Sequence, residues 1–318
     1  MSVRSGLGYD AAGSHRTPRN HPHLGGSGTD YGSCGVNLMP TRKKMISLAL
    51  KNAVRTILPS GYLLRRAVRQ CLKKGEPELR LLPCLCSRFE IAIDVGANLG
   101  IYSYLFSQYS DRVIAVEPHP VLATQLRRLL PASVSVLNFA ASDEEGVSDF
   151  YIPTLDGSEI HSRSSLVSTA NPGMISRKIL VEKRRLDRLP IDGGSVAVVK
   201  IDVEGHELGA LQGLSGIIAR SRPTIIVESE ARHHADAPFS IFDFLHSFGY
   251  LGYFIHRGTL RLVSEFSVEK FQVEADTELG PRDRSPEYVN NFIFVHPVRS
   301  SVLDELRRFF TPHTTDPS

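Results

Sequence analysis

Asp94-Val95-Gly96-Ala97-Asn98-Leu99-Gly100 closes the apolar run that begins at Ile91 and opens a helix-like run from Ile101 to Gln108. A strand, a glycine turn and a helix in that order form a nucleotide-binding corner. The glycines admit a ligand close to the backbone, and the start of the helix offers unpaired N–H groups. A glycine loop by itself is common, so the flanking carboxylates decide what it holds. Glu117 ends the next apolar strand, Val113 to Val116, and lies 21 residues after Gly96. An acid there can accept hydrogen bonds from both hydroxyls of a ribose. Asp94 stands at the mouth of the first strand, where it would repel a pyrophosphate and suit the ammonium of a methionine moiety. Asn98 replaces the middle glycine of the dinucleotide pattern. The loop, with Gly96, Asn98 and Gly100 around the ligand, therefore favours S-adenosylmethionine over NAD. The plainer reading, two strand-end carboxylates capping helices, explains either acid alone better than it explains the pair.

Outward from this corner the chain alternates. Helix Pro120 to Leu130 leads to a third strand, Val134 to Ala140. Asp143-Glu144-Glu145-Gly146 is a turn, after which Val147 to Ile152 is expected to pair back as a hairpin. Residues 154–178 read as a polar loop, with Ile179 to Val181 beginning another extended piece. Strands Val196 to Ile201, Thr224 to Val227, Tyr250 to Ile255 and Phe292 to Val295 follow, with helices Glu207 to Ala219, Ile241 to Phe248 and Val302 to Phe309. Alternation of this kind, with continuous apolar strands, predicts an α/β fold: a doubly wound, mainly parallel, seven-stranded sheet. The long loop from Thr154 to Met174 is expected to cover an acceptor, with Ser162, Arg163, Ser164 and Ser165 available to a sugar.

The second dense cluster is Val198-Val199-Lys200-Ile201-Asp202-Val203-Glu204-Gly205-His206-Glu207. In a doubly wound sheet this strand lies beside the first, and ligands bind where their C-terminal ends flank the crevice. Asp202 and Glu204 are thereby placed opposite the cofactor loop. Methyl transfer to a hydroxyl needs a positioned acceptor and a base for its proton. His206, Glu204 and Asp202 are the candidates, with His206 narrowly preferred for its ordinary pKa. A polar first turn of a helix explains His206 about equally well. A ring of Asp202, Glu204 and Glu228 holding Mg²⁺ is the alternative; no metal is the favoured reading.

The 318 residues, 42% apolar, suit a globular enzyme, and the formal charge of +3 gives no reason to expect nucleic acid as a partner of the whole chain. No apolar run is long enough to span a membrane. No signal-peptide core opens the chain, so a cytoplasmic protein is expected. Cys34, Cys71, Cys84 and Cys86 lack zinc-site spacing and read as reduced thiols. Residues 1–40 have the composition of a disordered tail. Residues 41–78 read as a helical extension: Ile46, Leu50, Ala53, Val54 and Ile57, then Leu64, Ala67, Val68, Cys71 and Leu72, recur at helical spacing among basic residues. Such helices either cap the main domain, 79–318, or make peripheral contact with an anionic membrane through residues 41–75. The cap is the preferred reading.

The motifs Asp94-Val-Gly-Ala-Asn-Leu-Gly100, Val116-Glu-Pro-His119, Asn138-Phe-Ala-Ala-Ser-Asp143 with Gly146, Ser164-Ser165-Leu166, Leu186-Asp187 and Lys200-Ile-Asp-Val-Glu-Gly-His-Glu207, in this order and spacing, resemble the FkbM family of methyltransferases over roughly residues 88–296. The resemblance implies a class I, Rossmann-like methyltransferase fold with S-adenosylmethionine as donor. It implies contacts to the donor from Asp94, Gly96 and Asn98, to the ribose from Glu117, and to the adenine from Ala141, Ser142 and Asp143. Members commonly O-methylate sugars, glycolipids or polyketide hydroxyls, so the expected acceptor is a small molecule or carbohydrate hydroxyl. Methylation of a nitrogen or carboxylate is the enzymatic alternative. A non-catalytic cofactor-binding module is the other, disfavoured because loop, ribose acid and strand-end cluster are all intact.

Overall fold

A computed structural model describes residues 60–74, 76–155, 157–171, 173–234, 236–277, 285 and 287–310. The tail expected over 1–40 and the first basic helix lie outside the described residues.

The chain builds β1 (Ile91–Val95), β2 (Arg112–Val116), β3 (Val134–Leu137), β4 (Ala140–Ala141), β5 (Gly146–Leu155), β6 (Ser158–Glu159), β7 (Ile175–Arg184), β8 (Val196–Ile201), β9 (Thr224–Glu228), β10 (Leu251–His256), β11 (Thr259–Leu262) and β12 (Asn291–Val295). The large sheet runs β11-β10-β12-β9-β8-β1-β2-β3. Strands β3, β2, β1, β8 and β9 pair in parallel, and β12 inserts antiparallel between β9 and β10. This is the class I methyltransferase sheet that the resemblance implied, with one added edge strand.

Every residue of β1 and β8 is buried. Their side chains alternate between two cores: Ile91, Ile93 and Val199 join Ile217, Phe242 and Phe254 on one face, while Ala92 and Val198 join Phe106 and Leu126 on the other. Burial on both faces is why these strands read as unbroken apolar runs. From β1 the chain winds outward through β2 and β3, then returns to β8 on the opposite side of β1. The crevice at that reversal is where such sheets bind ligands.

Three expectations change. The sheet has eight strands, because β11 folds back on β10 at the turn Arg257-Gly258; at four residues, with Arg261 among them, it offers no apolar pattern. Residues 154–178 are not one polar loop. β5 runs on to Leu155 and β7 starts at Ile175, and the two pair antiparallel from Gly146↔Lys183 to Thr154↔Ile175. The hairpin return therefore pairs with β7 rather than β3, in a second sheet of order β4-β7-β5-β6. Finally, helix Glu207 to Ala219 is two helices, Glu207–Gln212 and Ser215–Ser221. At the break, a Cβ on Gly213 would lie 2.0 Å from the Ser142 carbonyl oxygen. The Asp187 carboxylate accepts from the N–H groups of Gly216 and Ile217 at 3.0 and 2.8 Å and caps the second helix.

Helix Ser60–Lys74 buries Leu64 and Val68 in the same core as Phe106 and Leu126, which is the packing expected of a cap. Burial pushes the Cys84 thiol up to about 11 and the Cys86 thiol to about 12.

Candidate active site

The reversal point brings β1 and β8 close enough to dictate a glycine. Gly96 has φ +82°, and a Cβ there would sit 1.8 Å from the Asp202 carbonyl oxygen. The loop therefore lies directly against the turn that leaves β8. Asp202 N–H donates to the Val95 carbonyl at 3.0 Å and fixes the contact.

Glu117, at the end of β2, is buried at the edge of this loop. Its Oε2 accepts from the Asn98 N–H and its Oε1 from the His119 N–H, both at 2.8 Å. Burial pushes its pKa up to about 7, against the pull of those two N–H groups. Asn98 adopts φ +46° to make its bond. A cleft open to solvent is lined by Gly96, Asn98, Glu117, Ala141, Asp202 and Glu204.

Asp94 does not form part of the cleft wall. It is 2% exposed, and its Oδ2 accepts from Ser103 Oγ at 2.5 Å. Burial raises it to about 6. Its place is beneath the loop, tying strand to helix. Gly100 stands at the N-cap of helix Ile101–Tyr109. Ser142 and Asp143 lie behind Ala141, with the Ser142 hydroxyl donating to Asp143 Oδ1 at 3.1 Å.

On the β8 side, Glu204 takes φ +51° and lines the cleft together with Asp202. Its Oε2 accepts from Arg232 Nη2 at 3.1 Å and lies 3.5 Å from His233 Nε2. Arg232 also donates through Nε to Glu230 at 2.9 Å. Burial, and next the neighbouring Asp202 charge, push Glu204 up to about 8. His206 is placed elsewhere. It caps helix Glu207–Gln212 with its Nε2 3.2 Å from Ser142 Oγ, and burial lowers its pKa. The ring is not part of the cleft wall, so the preferred base does not face the crevice.

The alternative magnesium set is not gathered either. Lys200, fully buried on β8, has its ammonium 4.0 Å from both Asp202 Oδ2 and Glu228 Oε2. It donates to Asn291 Oδ1 at 2.9 Å and lies over the Tyr102 ring. The ammonium takes the position of a cation between these carboxylates, while Glu204 faces Arg232. Among the described residues the closest metal-type trio is His119, Glu159 and His161. His119 Nδ1 accepts from the Val121 N–H at 3.2 Å, which assigns the ring proton to Nε2, toward Glu159. Arg177 holds the other Glu159 oxygen at 2.5 Å. Within the trio the His119 and His161 Nε2 atoms stand 4.0 and 3.8 Å from Glu159 Oε2, beyond hydrogen-bond distance, and Arg177 is the cation that engages Glu159.

One wall of the cleft belongs to the second sheet, whose place differs from expectation. Phe150, His161, Ser162, Ser164 and Leu166 line the cleft on the side of Glu117, Pro118 and Ala141. Ser165 Oγ donates to the Glu204 carbonyl at 2.6 Å and stitches this segment to the β8 turn. Sequence reasoning missed Arg232 and Lys200. The run Glu230-Ala231-Arg232-His233-His234 directly after β9 was the signal for the first; a lone lysine inside an apolar strand was the signal for the second.

Four raised carboxylates give the free protein a pH signature. Glu117 and Glu207 sit at about 7, Glu78 and Glu204 at about 8, each above the ordinary 4.5. The folded state therefore binds more protons than the unfolded state in this range, and stability falls as pH rises. The lowered histidines His119, His206 and His296 act below 6.5. Thermal melts should accordingly show Tm dropping from pH 6.5 to 8.5, and Glu117→Gln should flatten the drop. A rising Tm over that window would contradict these environments.

A family model described as methyltransferase FkbM domain matches residues 94–251, which span the loop, Glu117, the second sheet and the β8 turn. The chain carries a methyltransferase FkbM domain over these residues. A curated relative, the hexuronic acid methyltransferase AglP of Haloferax volcanii, is 28% identical over 183 residues, covering 54% of this chain and 72% of the relative. A crystallised methyltransferase FkbM from Methylobacillus flagellatus KT is similar over 65% of this chain at 16% identity, with a TM-score of 0.38. The chain spans 44% of the length of that protein. A precorrin-6y C5,15-methyltransferase from Geobacter metallireducens GS-15 gives 17% identity and a TM-score of 0.34, over 58% of this chain and 77% of that one. No residue role is transferred from structures this distant. Among the described residues no helix is long and apolar enough to cross a membrane.

Proposed function

We propose that this methyltransferase moves a methyl group from S-adenosylmethionine to a hydroxyl of a sugar or sugar-bearing small molecule. The observation that supports it is the cleft itself: Glu117 at one end, the Asp202–Glu204 turn at the other, and the Gly96 backbone between. The donor is cationic at its sulfonium and ammonium, and a wall bearing Glu117, Asp202 and Glu204 suits it. Glu117 would hold the ribose hydroxyls, with its carboxylate already aimed by Asn98 and His119. Asn98 and Gly96 would pass along the donor, and Ala141 would face the adenine.

When bound, the donor supplies an activated methyl carbon; the S–CH₃ bond breaks as the C–O bond forms. The hydroxyl proton must leave in the same step, and a base working near neutrality takes it best. Glu204 has that character. Arg232 and His233 keep the Glu204 side chain in one orientation. His206 becomes a positioning residue that braces Ser142. A carboxylate acceptor would need no base, whereas the cleft carries one in Glu204, which supports the alcohol. The name of the Haloferax relative, a hexuronic acid methyltransferase, supports a sugar as the acceptor class, with its hydroxyls and its carboxylate both candidate acceptors.

The test is incubation with methyl-labelled donor and a panel of neutral glycosides, uronic acids and amino sugars, followed by product mass and linkage analysis. An O-methyl sugar is the expected product. An N-methyl or methyl-ester product would replace the alcohol reading.

A further inference from the structure

The described N-terminal helix has two clean faces. Leu64 and Val68 are buried in the core, with Cys71 and Leu72 packed beside them. Arg65, Arg66, Arg69 and Lys73 are exposed, together with Tyr62 at 50%. Positions 62, 65, 66, 69 and 73 follow helical spacing, so they form one stripe. Among the described residues none of these four cations is paired with a carboxylate.

The charge of the chain is divided at this helix. Between Asp30 and Glu76 there are ten Lys and Arg residues and no Asp or Glu. From Glu76 to the end there are 32 acidic and 24 basic residues. A catalytic body with net charge −8 next to a segment of +10 has a strong electrical direction.

We infer that the exposed stripe of helix Ser60–Lys74 docks the enzyme on an anionic membrane surface. The apolar face is committed to the core, so the attachment is electrostatic adsorption, with Tyr62 at headgroup depth. The acidic body turns away from the same surface and fixes the orientation. An RNA or DNA partner fits less well. A nucleic acid presented to the cleft would bring its phosphates against Glu117, Asp202 and Glu204, whereas a flat surface meets the basic stripe alone.

Vesicle co-sedimentation of the full chain tests this without reference to methyl transfer. The probes are phosphatidylcholine vesicles with and without about one third phosphatidylglycerol, at low and at high salt. Wild type should bind the anionic vesicles, release from them at high salt and ignore the neutral ones. The variant R65Q/R66Q/R69Q should lose roughly 100-fold in partition coefficient, at about fivefold per surface cation. Its Tm should be unchanged, because all three side chains are exposed. Equal binding to neutral and anionic vesicles, full retention by the triple variant, no vesicle binding, or tighter binding to a short RNA duplex than to the vesicles would each overturn the inference.

Discussion

Glu204→Gln should lower kcat by about 10²–10⁴-fold, the scale typical of losing a general base, while donor affinity stays within a few-fold. The amide keeps the shape and can still accept from Arg232, so the loss reads the proton acceptor rather than the packing. Asp202→Asn should lower kcat too, because both carboxylates line the cleft. His206→Ala should keep kcat within about threefold, since its ring faces Ser142. The pH–rate profile of wild type should rise through the neutral range as Glu204 ionises. A donor cation in the cleft stabilises the carboxylate form, so the profile of kcat should rise at lower pH than that of kcat/KM for the donor. Near-normal turnover by Glu204→Gln with collapse in His206→Ala would restore His206 as the base.

Gly96→Ala should remove both donor binding and much of the stability. Alanine is strained at φ +82°, and its Cβ would stand 1.8 Å from a backbone oxygen, which no rotamer change relieves. Either the glycine loop or the β8 turn must move, and Asp202 moves with the second. A cost of about 3 kcal/mol is in keeping with such a clash, which lowers Tm by about 6–12 °C for a domain of this size. Differential scanning fluorimetry, with and without S-adenosylhomocysteine, separates the two effects. An unchanged Tm with normal ligand-induced stabilisation would mean that the loop and the turn do not touch.

The parts of the fold that were legible in the sequence are those buried on both faces. β1 and β8 read correctly because they are apolar apart from Asp94 and Lys200, and the Asp94–Gly100 corner because backbone geometry demands its glycines. β7 was less legible. Its residues Ile175–Arg184 form a largely exposed strand whose charged residues come in runs, Arg177-Lys178 and Glu182-Lys183-Arg184, without the alternation that marks a half-buried strand. The segment it encloses, read as a cover for the acceptor, contributes His161, Ser162, Ser164 and Leu166 to the cleft lining, and Ser165 bonds the β8 turn. Direction was the other gap. Asp94, Asp202, Glu204 and His206 all cluster around the right corner in sequence. Only the backbone at Glu204, in the left-handed region, and the helix start at His206 decide that one side chain faces the cleft and the other faces Ser142. Lys200 was hidden by its strand: a buried ammonium is tolerable only among Asp202, Glu228 and Asn291, and β12 supplies the last from 91 residues away.

Donor binding between Glu117 and the Asp202 turn is tested most directly by isothermal titration calorimetry of the full chain with S-adenosylmethionine and S-adenosylhomocysteine. A single site in the micromolar range is expected. Glu117→Gln should weaken it by about 10–100-fold, because charge-assisted hydrogen bonds to a diol are lost, with the melting temperature at pH 6.5 retained. Absence of saturable binding by either ligand, or an unchanged Kd in Glu117→Gln, would contradict the assignment of this cleft to the donor.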